Sequence, residues 1–133
     1  MKAMAAPFIF IGTHRLKEGK LPDFEKAFSD LVDAVEMNEP RMIAFNGYGN
    51  DDATEVAVVQ VHPDVASMQS HMQVMRQHIT HAYEELLGET ASIQVFGELS
   101  DEARSMMQQL AGPDVPLSVK PRHLGGFTRS TAR

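Results

Sequence analysis

The sequence predicts an α+β chain of ferredoxin-like plan. The order is β-α-β-β-α-β, with an antiparallel sheet carrying two helices on one face, followed by a short helix and a fifth strand. Three observations carry this reading. Segments rich in β-forming residues alternate with segments of helical period in that order. A turn-forming stretch, Gly49-Asn50-Asp51-Asp52, joins the second and third β segments as a hairpin. Finally, 133 residues of which 43% are apolar and 23% charged make one ordinary globular domain. That domain is read as residues 1–133, with the ferredoxin-like core at 7–98, a C-terminal helix and strand at 99–124, and a tail at 125–133.

The first strand covers Phe8 to Lys17. Phe8, Phe10 and Gly12 point one way, and Ile9, Ile11 and Thr13 the other. After Gly19, Pro22 suits a helix's first turn and Asp23 complements the helix dipole. Phe24, Ala27, Phe28, Leu31 and Val35 then recur on one helical face, until Asn38-Glu39-Pro40 stops it. Met42 to Tyr48 and Glu55 to Val61 form the hairpin. His62-Pro63-Asp64 ends it, with His62 a cap or turn residue and Asp64 an N-cap. A long second helix is expected from Val65 to Leu87, closing at Gly88. Thr90 to Glu98 is the fourth strand. Ser100-Asp101-Glu102 opens a short helix with Ala103, Met106, Met107 and Leu110 inward, and Leu117 to Lys120 adds a fifth strand.

Several function classes are excluded early. Without cysteine there is no disulfide framework, thiolate metal site or cysteine nucleophile. That composition fits a reducing, cytoplasmic setting. A net charge of −6 argues against nucleic acid as a partner. The longest apolar stretch, about ten residues from Ala3, is half of what a bilayer span needs, so no membrane partner is expected. Phosphate loops, dinucleotide glycine motifs, nucleophile elbows and His-Glu-x-x-His are missing.

The strands carry a further argument. Two helices cover one face of a four-stranded sheet, yet strands one and three are apolar on both faces. A half-solvated antiparallel sheet should alternate apolar with polar. Leaving the second face wet would be costly. A homodimer with sheets packed face to face is therefore expected, the alternative being cover from the chain's own third helix or tail.

The run Thr13-His14-Arg15-Leu16-Lys17-x-Gly19 leading to Phe24, the hairpin, a helix carrying Ser70-His71, and the strand Ile93-Gln94-Val95-Phe96 together resemble the dimeric α/β barrel superfamily. Within it, the antibiotic-biosynthesis-monooxygenase-like proteins are the nearest likeness, over about residues 7–98. The resemblance implies a pocket between sheet and helices, with a residue near the end of the first strand taking part. It also implies a cofactor-independent monooxygenase acting on a small phenolic or quinol-type aromatic. The alternative is a non-catalytic barrel that binds a small apolar molecule or serves a stress or regulatory role. Haem-degrading members carry Asn where His14 aligns and Trp where His71 stands. This chain has no Trp, so haem is not expected, and no metal site is expected either.

The residues themselves name the candidates. His14 shares a face with Phe8, Phe10 and Gly12, and Gly12 leaves room beside it. An imidazole is the usual proton carrier near neutral pH. On the second helix, a period of about 3.6 residues puts His71 roughly 70° and His78 roughly 90° from the apolar stripe's centre, with His81 turned to solvent. His14 and His71 are thus the candidate catalytic bases, or idle strand-end and rim histidines. Asn46, Tyr48 and His78 are candidate substrate-binding groups. Phe24 and Met75 are candidate walls for a flat aromatic ligand, since thioethers adapt well to rings. From Pro116 onward the chain holds four basic and no acidic residues, a tail suited to an acidic surface such as a second subunit.

Overall fold

The computed structural model describes residues 6–78, 81–112 and 114–129, without the side chains of 76–83, Leu110 and Ala111. Among these residues it contains five strands and four helices: β1 (Phe8–Leu16), α1 (Leu21–Asn38), β2 (Ala44–Gly49), β3 (Glu55–His62), α2 (Val65–His78), α3 (His81–Leu86), β4 (Leu87–Phe96), α4 (Asp101–Ala111) and β5 (Leu117–Lys120). The sheet order is β2-β3-β1-β4-β5. The first four strands pair antiparallel, as the ferredoxin-like plan requires. β5 joins β4 in parallel, so the sheet is mixed rather than antiparallel throughout. A parallel neighbour needs a crossover, and α4 supplies it.

Helix α1 starts with Pro in its first turn and Asp23 beside it. It ends where Pro40 forbids continuation, and the backbone N–H of Glu39 donates to Val35 O at 2.8 Å. Ser100 caps α4 by accepting from the Ala103 N–H. The expected single helix to Leu87 is instead two, α2 and α3. β4 begins at Leu87 rather than Thr90, so Gly88 is a strand residue and not a helix cap. The β1 ladder captures this segment: Lys17 N–H donates to Leu86 O and Leu16 pairs with Leu87.

The β1–β4 ladder is irregular there. It runs in step from Ile9↔Phe96 to Thr13↔Ser92, then slips to His14↔Thr90 and again to Leu16↔Leu87. Each slip places one extra residue on β4, which bends a strand and increases its twist.

The core lies on one side of the sheet. Phe8, Ile93 and Val95 pack with Met68 and Met72 of α2 and Met106 and Met107 of α4. A second cluster joins Leu16, Val56, Phe24 and Leu86. The opposite face carries Ile9, Ile11, Ala57, Val59 and Val61, none of them buried. α4 packs with α2 on the core side and leaves that face open.

Candidate functional site

A cavity of about 380 Å³ lies between the sheet and the helices. Phe10 and His14 of β1, Val58 and Gln60 of β3, Phe24 and Phe28 of α1, Phe45 of β2 and Met68, His71 and Met75 of α2 are among its walls. Phe28 stacks between Phe24 and Phe45, at 5.7 Å and 5.2 Å between ring centroids. A side chain at position 47 would lie 2.8 Å from the Phe28 ring, so glycine there is what admits the ring to the sheet. A second hollow of about 490 Å³ between α4 and the β4–β5 edge has no titratable side chain among the described residues on its wall.

Two imidazoles line the first cavity. His71 is 1% exposed. Its Nδ1 lies 3.0 and 2.9 Å from the two carboxylate oxygens of Glu39, itself buried. A carboxylate accepts, so Nδ1 carries a proton and Nε2 is the free end of the ring. That Nε2 is buried and has no hydrogen-bond partner among the described residues. Buried polar atoms are rarely left so. The flank position expected for His71 is thus corrected to a fully enclosed one. Glu39 is the residue that sequence reasoning missed: it reads as part of a helix stop, and its partner is 32 positions away.

His14 rests over Gly12. A Cβ at position 12 would come within 3.2 Å of His14 Nε2, so the glycine does make room for the ring. Its Nδ1 is 3.0 Å from Thr90 Oγ1, an alignment created by the first ladder slip. Burial holds the His14 imidazole below its ordinary value of 6.5, so it is neutral at pH 7.

His62 is not a turn residue but a wholly buried one. Its Nε2 lies 3.0 Å from Gln60 Oε1 and its Nδ1 2.8 Å from Ser67 Oγ. Burial first, and then the neighbouring His71, push it down to about 3. The His62 and His71 rings are 5.9 Å apart. Asp64 acts as the expected cap, accepting the Ser67 N–H at 2.9 Å, and its carboxylate also pairs with Arg41.

Phe24 and Met75 line the cavity. Asn46 and Tyr48 do not. They pair with Val59 and Ala57 on the opposite sheet face, and Tyr48 is 63% exposed. The two-residue period of β2 sends Phe45 inward in their place. The side chain of His78 lies outside the described residues. No group of three His, Asp or Glu side chains suited to a metal ion occurs among the described residues.

No protein-family model matches the chain, and no curated protein sequence is significantly similar. Solved structures are similar. MupZ from Pseudomonas fluorescens superposes with a TM-score of 0.70 at 12% identity, over 97% of this chain and 99% of that one. A protein from Caulobacter crescentus, described as a candidate antibiotic biosynthesis monooxygenase, gives 0.61 at 17% identity over 74% and 94%. Another of that description from Deinococcus radiodurans gives 0.57 at 12% over 70% and 93%. The chain has the antibiotic-biosynthesis-monooxygenase-like fold. The additional share matched by MupZ takes in the C-terminal region beyond the ferredoxin-like core. No helix among the described residues is long and apolar enough to cross a membrane.

Proposed function

We propose that the chain is a cofactor-independent monooxygenase acting on a small phenolic or quinol-type aromatic, with His71 as the base. One observation carries this: the buried imidazole of His71 lines a largely apolar cavity, its Nε2 has no partner among the described residues, and a buried carboxylate lies behind its Nδ1. This is the base-plus-orienting-acid arrangement of proton-transfer sites. Nε2 takes the proton of a bound hydroxyl, and Glu39 stabilises the imidazolium so formed. The electron-rich anion then meets O₂. For an anthrone the balance is CH₂ + O₂ → C=O + H₂O, so the substrate supplies every electron and no external reductant is needed. The stacked Phe24, Phe28 and Phe45 rings and the methionines give a flat ligand its walls. Neutral His14, on the same cavity, hydrogen-bonds the ligand or the departing oxygen.

The working unit in this reading is a homodimer. The aliphatic outer face formed by Ile9, Ile11, Val59 and Val61 is covered by the same face of a second copy, which spares that face the cost of staying wet. The test is oxygen uptake with a panel of hydroquinones and anthrones, comparing wild type with His71→Ala and His14→Ala. Uptake by wild type that His71→Ala abolishes is the expected result. No uptake above background by wild type refutes the reading for that panel. Tight binding of those aromatics without uptake would favour the non-catalytic alternative, which the Phe and Met side chains on the wall also suit.

A further inference from the structure

We infer that Gln60 is the oxygen anchor of the cavity: its side-chain amide donates to the ionised oxygen of the bound aromatic, and His62, held by Ser67, is the positioning residue that keeps the amide turned that way. This rests on the reading above that the ligand carries an acidic hydroxyl.

Gln60 is buried and lines the cavity. Its Oε1 can only accept, so the His62 Nε2 at 3.0 Å must be the protonated nitrogen. A neutral imidazole then has a bare Nδ1, and the Ser67 hydroxyl at 2.8 Å donates to it. With Oε1 engaged, the amide –NH₂ is what Gln60 has left to offer, and it has no partner among the described residues. Turning the amide over would place an N–H donor against the N–H of His62. It could be accommodated only by moving the imidazole proton to Nδ1 and reversing the Ser67 hydroxyl as well.

The backbone of Ser67, at the far end, is also held in place. The Ser67 N–H donates to Asp64, and the Asp64 carboxylate pairs with Arg41. Because burial keeps His62 neutral through the whole working range, the one-proton arrangement persists wherever the site would operate. His71 and Gln60 both line the cavity, and on this inference the first supplies an acceptor, Nε2, and the second a donor, the amide –NH₂. A hydroxyl that gives up its proton to the first has its new charge met by the second.

The test uses full-length protein and a probe pair: 4-nitrophenolate, followed by its visible absorbance at a pH where it is ionised, and uncharged 4-nitrotoluene. A hydrogen bond to a charged oxygen predicts that Gln60→Met weakens the phenolate by about 10- to 100-fold while 4-nitrotoluene changes by less than about threefold. Ser67→Ala and His62→Asn are expected to reproduce part of this selective loss. A purely structural role would lower both probes together. An unchanged phenolate-to-nitrotoluene ratio in folded Gln60→Met overturns the inference, as does a wild type without preference for the anion. If Gln60→Met fails to fold, the side-chain amide signal of Gln60 in ¹⁵N-labelled wild type replaces it. That signal is expected to shift with 4-nitrophenolate and not with 4-nitrotoluene, and its failure to respond refutes the anchor. Selective loss without oxygen uptake removes the oxygenase and keeps the anchor; uptake with an unchanged ratio does the reverse.

Discussion

Replacing His62 with asparagine should flatten the acid limb of the stability curve. In the folded chain this imidazole titrates at about 3, because it is buried and sits beside His71. In the unfolded chain it returns to about 6.5. Between those values the unfolded state binds a proton that the folded state refuses, so stability falls as pH drops through 6.5 and continues to fall toward 3. From pH 7 to pH 5 the difference amounts to about 2 kcal/mol from this one residue. His14, also depressed, acts in the same direction but is present in both proteins, so it cancels in the comparison. Asp64, a carboxyl lowered chiefly by the Ser67 N–H, matters only at more acid pH. The assay is urea unfolding of wild type and His62→Asn at pH 7, 6 and 5. The variant starts less stable, having lost packing against Phe8, but its slope is the quantity of interest. If both proteins lose the same stability between pH 7 and 5, within about 0.5 kcal/mol, His62 is not held neutral and the reasoning fails.

Four further outcomes are expected. Glu39→Gln keeps the size of the side chain but can donate to Nδ1, favouring the wrong tautomer; oxygen uptake should drop by about 10²- to 10⁴-fold with little change in KM. Glu39→Ala, which leaves the His71 Nδ1–H buried and unpaired, should also cost about 1–3 kcal/mol in urea unfolding. Gly47→Ala drives a methyl to 2.8 Å from the Phe28 ring, and overpacking of this kind should cost about 1–3 kcal/mol, seen as a lowered Tm together with weakened aromatic binding. Ile11→Glu, at the centre of the open sheet face, should convert a dimer to a monomer in sedimentation equilibrium; a wild type already monomeric at high concentration would contradict the face-to-face assembly.

The fold was legible because its signals are local. The run of β-branched and aromatic residues in β1, the Phe24-to-Val35 stripe and the Gly49-to-Asp52 turn each fix an element without reference to the rest. His14 was legible for the same reason: strand parity puts it on the face of Phe10, and Gly12 is its neighbour. What escaped is long-range. Helical angle alone leaves His71 at a flank, whereas Phe45 and the turned-in carboxylate of Glu39 enclose it from other elements. Asn46 and Tyr48 are read correctly as sharing a face, but which face of β2 meets the helices is decided by Phe28 contacting position 47. His62 looks like punctuation before Pro63 until the N-terminal turn of α2 brings Ser67 to it.

The two surplus residues in β4 have a geometric outcome at the rim of the cavity. Leu87, Gly88 and Thr90, all within the slipped stretch, form part of the wall. That lip is therefore woven into a ladder instead of hanging as a loop, and it cannot swing aside without unzipping main-chain bonds to β1. A guest with a broad substituent meets an unyielding wall here, and the room it needs must come from the helices across the cavity.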